Sequence, residues 1–201
     1  MSGARIATAY DGRADEYIEL FGSIDQLSPL DRGSIESWSR DIAGLVLDAG
    51  CGPGHWSAFM AEATRGDVLG VDASPVMIAS ARRRFPNARF VVGDLTALPL
   101  AGGVVSGILA WFSLIHMEPD ELSVALGEFA RASSPGCSLL LGYFEGTPRV
   151  AFDHAVATAY FWTESSLADV LGQAGWVVRD AATRLDRGHR PHGQLWAELE
   201  P

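Results

Sequence analysis

Long apolar runs and cysteines are both scarce in this chain of 201 residues. No apolar stretch could span a bilayer without interruption, and the best one, Ile108–Ile115, has the length of a strand. No secretory signal is expected, because Met1–Tyr10 has no apolar segment behind Arg5. The two cysteines, Cys51 and Cys137, cannot build a disulfide framework and fit a reducing compartment. We therefore expect a cytoplasmic protein with no membrane partner.

Basic residues are also few, since 15 Lys and Arg stand against 25 Asp and Glu and give a formal net charge of −10. Binding to phosphate backbones normally needs a basic face, so this balance disfavours a nucleic-acid partner. The basic cluster Arg82–Arg84, with Arg89 behind it, is interpreted as a solvated helix face. A hydrophobic content of 48% is typical of a globular domain, and the length suits one domain better than two.

An apolar run that ends in an acid and three alternate glycines organises the chain. Leu45–Leu47 is followed by Asp48 and then by Gly50, Gly52 and Gly54. The run predicts a buried parallel strand, and the glycines allow a tight turn that brings backbone close to a ligand. With a helix predicted over Trp56–Thr64, backbone N–H groups would surround a small polar ligand at the carboxyl edge of a sheet.

The regular alternation of predicted strands and helices after this loop favours an α/β fold with a doubly wound, mostly parallel sheet. A helix is predicted before the loop over Ala4–Phe21 and another around Ser34–Arg40. The further predicted strands are Asp67–Val71, Arg89–Val92, Val104–Trp111, Ser138–Phe144 and a final antiparallel pair, Trp176–Arg184 and Leu195–Leu199. The further predicted helices are Pro75–Phe85, Pro119 to about Ser133, and Thr163 to about Gly175.

Two further acids follow predicted strands. Asp72 lies a little over twenty residues after Gly50, where doubly wound folds use an acid to bind ribose hydroxyls. Asp94 follows Gly93 at the end of the next strand. Three acids at the ends of three successive strands, Asp48 included, indicate an adenosyl-ligand crevice far more specifically than any one of them.

The pattern resembles motif I of the class I S-adenosylmethionine-dependent methyltransferases, of the small-molecule type represented by methyltransferase domains 11 and 25. The resemblance implies a seven-stranded Rossmann-like sheet with a C-terminal antiparallel hairpin, and S-adenosyl-L-methionine as cofactor with S-adenosyl-L-homocysteine as product. It implies no metal. The cofactor-binding residues that it implies are Tyr10, Asp48, Ala49, Gly50, Cys51, Gly52, Trp56, Asp72, Ala73, Met77, Gly93, Asp94, Leu95, Trp111 and Phe112.

The resemblance also divides a single methyltransferase domain over residues 1–201 into four parts. Residues 1–40 form an N-terminal helical cap and residues 41–144 the cofactor-binding core. Residues 145–162 are an irregular insert on the substrate side, and residues 163–201 supply the C-terminal helix and strand pair.

His116 is the candidate general base, because it follows the fourth strand and its ordinary pKa lies near neutrality. It is needed as a base only if the acceptor must lose a proton, and it could instead cap the helix that starts at Pro119. The insert is rich in aromatic side chains, which suits a small, partly apolar acceptor but also suits packing onto the cap. The candidate acceptor-side residues are Tyr17, His116, Arg149, His154, Tyr160 and Trp162.

Two other functions stay open at this point. An NAD-type Rossmann oxidoreductase is disfavoured, because a dinucleotide fingerprint needs a glycine where His55 stands. A non-catalytic protein that binds an S-adenosyl ligand would keep the same crevice. A methyltransferase of this type would move the methyl group by in-line displacement to a small-molecule acceptor, as a monomer or a homodimer.

Overall fold

Seven α-helices and nine strands make up the part of the chain that the computed structural model describes, residues 3–200. Met1, Ser2 and Pro201, which belong to the predicted domain, lie outside the described residues. The helices are α1 Gly3–Asp11, α2 Ala14–Phe21, α3 Pro29–Ser39, α4 His55–Ala63, α5 Pro75–Arg84, α6 Pro119–Ala132 and α7 Glu164–Gln173. The strands are β1 Leu45–Ala49, β2 Asp67–Asp72, β3 Arg89–Val92, β4 Val105–Trp111, β5 Ser133–Phe144, β6 Ala151–Asp153, β7 Thr158–Tyr160, β8 Trp176–Arg184 and β9 His192–Leu199.

Seven of the strands form one sheet in the order β3-β2-β1-β4-β5-β9-β8. Strands β1 to β5 are parallel, and β9 is antiparallel to both β5 and β8. This confirms the predicted fold class. Because the chain leaves β1, β2, β3 and β4 at the same edge, the loops that follow these strands meet there.

The sheet is buried on both faces. Helices α6 and α7 cover one face around Phe129 and Trp176, whose indole N–H donates to the Leu126 carbonyl at 3.2 Å. Helices α3 and α4 cover the other face, where Ile35 and Met60 are fully buried. Apolar burial on this scale is the main force that holds such a domain together. Within residues 3–200 no helix combines the length and apolar character needed to cross a membrane.

The N-terminal cap differs from the sequence prediction in two places. The single helix predicted over Ala4–Phe21 is two helices, and the break between α1 and α2 falls at Gly12. Helix α3 begins at Pro29, earlier than the predicted Ser34. Ser28 caps it by accepting the Leu30 N–H at 3.2 Å, and proline suits the first helical position because it lacks an N–H.

The C-terminal part holds two further differences. The insert predicted to be irregular contains a small hairpin, in which β6 pairs with β7 from Ala151↔Tyr160 to Asp153↔Thr158. Strand β9 begins at His192, three residues before the predicted Leu195, so this histidine is paired with Phe144 rather than lying in an exposed loop. Short strands without strong alternation carry little sequence signal, because their partners define them.

Candidate functional site

Helices α1 and α2 lie over the carboxyl edge of the sheet and enclose a cleft with it. The cleft holds about 770 Å³ of space between protein atoms, part of it open to solvent. The predicted residues that border it are Tyr10, Tyr17, Gly50, Gly52, Asp72, Ala73, Met77, Asp94, Leu95, Trp111, Phe112 and His116. The bordering residues that sequence reasoning missed are Gly3, Ile6, Ala7, Ser113 and Met117.

The glycine loop after β1 forms the floor of the cleft. Gly50 has a φ of +78°, and a Cβ there would lie 2.3 Å from the Cβ of Ser113, so only glycine fits. Gly52 has a φ of +51°, and a Cβ added there would meet nothing nearer than Tyr17 Cε1 at 4.0 Å. The backbone at Gly52 therefore faces open space in the cleft, where a ligand can approach closely.

Asp72 presents its carboxylate to the cleft from the end of β2. Its Oδ2 accepts the Gly52 N–H at 2.9 Å and its Oδ1 accepts the Ser74 N–H at 2.8 Å. Burial raises the pKa of Asp72, although both N–H bonds oppose the rise, and nearby Asp11 adds to it. Each carboxylate oxygen can accept more than one hydrogen bond, so Asp72 can still accept from ligand hydroxyls.

Asp48, one of the predicted cofactor-binding residues, does not border the cleft. It is 2% exposed, and its Oδ2 accepts the Ser57 hydroxyl at 2.6 Å. Burial raises the pKa of Asp48 to about 7, the Ser57 bond opposes the rise, and Asp72 adds to it. The bond ties β1 to α4 on either side of the glycine loop and so fixes the loop's shape.

Four other predicted cofactor residues lie behind the cleft lining. Ala49 and Cys51 are buried, and burial raises the pKa of the Cys51 thiol. Trp56 is 6% exposed and packs edge-on against Trp111, with ring centroids 6.5 Å apart. Gly93 is half-buried beside Pro99 and Val71. These residues shape the walls rather than face the open space.

Asp94 lies at the far end of the cleft and is exposed. Its Oδ1 accepts the Thr96 N–H at 2.8 Å and the Thr96 hydroxyl at 2.7 Å. Its Oδ2 points toward Gly3 of α1, 3.6 Å from where a Cβ would stand. The first turn of α1 therefore leans over this carboxylate, and Oδ2 is the oxygen available to a ligand.

His116 is held in one orientation between the cap and the insert. Its Nδ1 lies 2.8 Å from the Thr158 carbonyl, which can only accept, so Nδ1 carries the proton. Its Nε2 then presents a lone pair, 3.0 Å from the Tyr10 hydroxyl. Burial lowers the pKa of His116, and the Thr158 bond opposes this, so the imidazole is neutral at neutral pH.

The loop after β4 supplies an unusual backbone and an unpartnered hydroxyl. Phe112 has a φ of +53°, which is strained for a non-glycine residue. Ser113 Oγ is buried at the cleft and has no hydrogen-bond partner among residues 3–200. Such groups are rare in folded proteins and mark a place where a ligand or water completes the bonding. No sequence motif singled out Ser113; the signal was its position next to Trp111 and Phe112.

Most of the insert residues predicted on the acceptor side lie outside the cleft lining. His154 packs against His116 with ring centroids 5.1 Å apart, and burial, His116, Arg190 and Arg13 lower its pKa to about 4. Tyr160 is half-buried and donates its N–H to the Ile115 carbonyl at 2.9 Å.

The other two insert residues lie farther from the cleft. Trp162 is 2% exposed, lies inside the core and does not border the cleft. Arg149 is exposed and lies over the Trp162 ring at 5.9 Å. Neither side chain is placed to touch a ligand in the cleft.

The polar groups around the cleft fit S-adenosylmethionine. The open backbone at Gly52 is surrounded by three polar groups. They are the Asp72 carboxylate at the end of β2, the exposed Asp94 carboxylate oxygen after β3, and the buried, unpartnered hydroxyl of Ser113. These groups match a ligand with ribose hydroxyls, an amino-bearing ring and a polar tail. Within residues 3–200 no group of three or more His, Cys, Asp or Glu side chains is arranged to hold a metal.

Comparison with solved structures identifies the class of fold. The [4+2]-cyclase SpnF superposes with a TM-score of 0.82 at 17% identity, covering 100% of this chain and 97% of that one. Magnesium protoporphyrin IX methyltransferase from Synechocystis, solved with S-adenosylhomocysteine, gives 0.77 at 20% identity, covering 99% and 100%. Identities this low establish the fold alone, and a cyclase shares it. The fold is that of the class I methyltransferases.

Sequence comparison finds methyltransferases over part of the chain. Residues 46–136 match the family model described as a methyltransferase domain. Malonyl-[acyl-carrier protein] O-methyltransferase from Pectobacterium atrosepticum is 41% identical over 119 residues, which are 57% of this chain and 46% of that protein. Demethylmenaquinone methyltransferase from Renibacterium salmoninarum is 32% identical over 150 residues, 67% of this chain and 61% of that protein. Together with the shared fold, these similarities support a class I S-adenosylmethionine-dependent methyltransferase domain around residues 46–136.

The matched part of this chain spans about half the length of the relatives it matches first, 46% and 50%. The similarity lies over the cofactor-binding half, where the glycine loop and the three strand-end acids stand. What the relatives act on therefore does not transfer to this chain by similarity alone.

Proposed function

We propose that the protein is an S-adenosylmethionine-dependent methyltransferase that acts on a small-molecule acceptor. One observation carries the proposal: Asp72 and Asp94 flank the same cleft as the open backbone of Gly52, in a chain with these similarities. Relatives named for malonyl-[acyl-carrier protein] and for demethylmenaquinone support an acceptor that is not a nucleic acid. The net charge of −10 supports the same choice.

When bound, S-adenosylmethionine would supply an electrophilic methyl group on a sulfonium sulfur. Asp72 would accept hydrogen bonds from the ribose hydroxyls, and Asp94 with Leu95 would hold the adenine. Ser113 would bind the polar methionine end, where its hydroxyl gains a partner. The main contribution of the cleft is alignment and exclusion of water, because the displacement is in-line.

His116 is the base in this proposal when the acceptor atom carries a proton. The bound cofactor would supply the methyl group, and the proton lost by the acceptor atom would pass to His116 Nε2. The neutral imidazole with its Nδ1 proton fixed on the Thr158 carbonyl is the form needed for this step. Tyr10 holds Nε2 until the acceptor's hydroxyl takes its place.

Isothermal titration with S-adenosylhomocysteine and with NAD tests the cofactor part of the proposal. We expect one site for the adenosyl ligand and none for NAD. Binding of NAD without binding of the adenosyl ligand would establish the oxidoreductase alternative instead. Methyl transfer from labelled cofactor across an acceptor panel then separates a working enzyme from a protein that only binds.

The proposal also covers the cellular location, the oligomeric state and the metal content of the protein. We place the protein in the cytoplasm, supported by two free, buried cysteines. We propose a monomer or a homodimer with no metal cofactor, supported by a mechanism that needs none. Size-exclusion chromatography with light scattering and metal analysis of the purified protein test these points.

A further inference from the structure

A second groove lies beside the cofactor cleft and meets it at one residue. It is about 550 Å³ in volume and runs between α3 and the β8–β9 hairpin. Trp111 borders both the groove and the cleft. The two spaces are thus neighbours along the carboxyl edge of the sheet, on the face covered by α3.

The walls of the groove are fixed by an ionic link between its two sides. Arg184, at the end of β8, pairs with Asp31 of α3, and its Nε donates to Asp186 Oδ2 at 3.0 Å. His192, at the start of β9, packs edge-on against Phe112 with ring centroids 6.0 Å apart. The groove is therefore built from three segments that are held together around it, as expected of a preformed site.

The amide oxygen of Gln194 gives the groove an unmet hydrogen-bonding group. Gln194 borders the groove, and its Oε1 is buried with no donor among residues 3–200. A buried acceptor without a donor is costly, and water or a ligand normally supplies the missing partner. A ligand N–H or O–H group would satisfy it.

The aromatic side chains of the insert pack against one another. Phe152 stacks on Phe161 with ring centroids 4.1 Å apart, and Phe144 packs edge-on against Phe152 at 5.4 Å. His154 fills the position between Phe144 and His116. These rings use one another as partners, so the acceptor's body needs another place next to the cofactor cleft.

We propose that the groove binds the body of the methyl acceptor, a neutral or cationic planar aromatic molecule that carries an N–H or O–H donor. The indole of Trp111 offers a ring to pack against, and Gln194 Oε1 accepts the donor. Arg184 borders the groove but is already paired with Asp31 and Asp186, neither of which borders it, so it offers no free positive charge to an anionic ring. The inference rests on the proposed function, because it makes the groove the acceptor half of that site.

Titration followed by ¹H–¹⁵N NMR tests the groove with three probes of similar size: phenol, anisole, which lacks the donor, and benzoate, which is anionic. Each is added to the protein alone and to the protein saturated with S-adenosylhomocysteine. We expect phenol to shift the Gln194 side-chain amide and the Trp111 indole signals, and anisole and benzoate to bind more weakly. One lost hydrogen bond corresponds to roughly threefold to tenfold weaker binding.

Two variants and one control sharpen the test. Gln194→Leu removes the amide oxygen and should weaken phenol binding roughly threefold to tenfold. Gln173→Leu, on the exposed side of α7, should leave phenol binding unchanged. Ala182→Phe, on the exposed rim, should block the groove without changing S-adenosylhomocysteine affinity.

Phenol binding that survives unchanged in both groove variants would overturn the inference. If the unmodified protein does not bind S-adenosylhomocysteine, the proposed function is overturned instead. The titration of the protein alone with the three probes would then still show whether the groove binds an aromatic donor.

Discussion

The Tyr10 hydroxyl lies 3.0 Å from His116 Nε2, although 106 residues separate the two along the chain. The Thr158 carbonyl holds the other ring nitrogen, so the hydroxyl proton of Tyr10 points at the one lone pair of the imidazole. A residue of the cap thereby occupies the position where a base would meet its substrate. The bond joins cap, β4 loop and insert around one side chain.

Replacing Tyr10 with phenylalanine should raise the pKa of His116. The hydroxyl stabilises the neutral imidazole, and its loss is worth about 1 kcal/mol, which corresponds to somewhat less than one pKa unit. The pH titration of the histidine Cε1–Hε1 signals measures this. An unchanged His116 titration in the variant would show that the bond does not bias its protonation.

Replacing Asp48 with asparagine should change how stability depends on pH. The folded protein holds the Asp48 proton up to a pKa of about 7, above the ordinary 3.8, so this group's contribution to stability falls as pH rises from about 4 to 7. The Asp48→Asn variant lacks that fall, and its stability relative to the parent should rise by roughly 2–4 kcal/mol across this window.

Urea unfolding at pH 5 and pH 8 checks the Asp48 prediction. The pKa values of His55 and His154, lowered to about 4 by burial, make stability rise with pH between about 4 and 6.5 in both proteins. That contribution cancels in the difference. Asp169→Asn, on an exposed face of α7, is the control that should show no such rise. A constant difference between the Asp48→Asn variant and the parent would contradict the prediction.

Replacing Ser113 with alanine should move stability and binding in opposite directions. The buried hydroxyl has no partner without ligand, so its removal should leave the free protein as stable or up to about 1 kcal/mol more stable. Affinity for S-adenosylhomocysteine should fall roughly threefold to tenfold, because the ligand loses a bond. Thermal unfolding measures the effect on stability and titration calorimetry the effect on affinity. Ser123→Ala, on the exposed side of α6, is the control. Equal affinity in parent and variant would remove Ser113 from the site.

Replacing Gly52 with alanine should damage binding more than folding. At a φ of +51° the substitution costs about 1–2 kcal/mol of stability, and the new methyl group enters the cleft. Gly103→Ala is a matched control, because Gly103 has a φ of +73° and an added Cβ would meet nothing within 4 Å, but Gly103 does not border the cleft. Both variants should lose similar stability, and only Gly52→Ala should lose at least tenfold in ligand affinity. Similar affinities in the two would contradict the cleft assignment.

The cofactor side of the site could be predicted because its signals are local. Asp72 and Asp94 each follow a short apolar strand, and parallel strands bring their carboxyl ends together without further information. Gly50 and Gly52 carry the need for positive φ in their residue type. The Ser28–Pro29 pair is a helix-start signal of the same local kind, and reading it would have placed α3 correctly.

The acceptor side could not be predicted because it depends on contacts between distant segments. On the cofactor side, the Asp48 carboxylate could likewise face the cleft or α4, and only the packing of Ser57 decides the direction. The insert aromatics have the composition of a binding wall, but the pairing of β6 with β7 turns Phe152 and Phe161 onto each other. The groove at Trp111 joins α3 to residues more than 140 positions away, as in the Arg184–Asp31 pair, separated by 153 residues.

A crystal structure of the protein with S-adenosylhomocysteine tests the central claim most directly. The claim predicts ribose hydroxyls within hydrogen-bonding distance of the Asp72 carboxylate, the adenine beside Asp94, and the Ser113 hydroxyl bonded to the methionine end. A ligand bound elsewhere, or a cleft that stays free of ligand at saturating concentration, would contradict it.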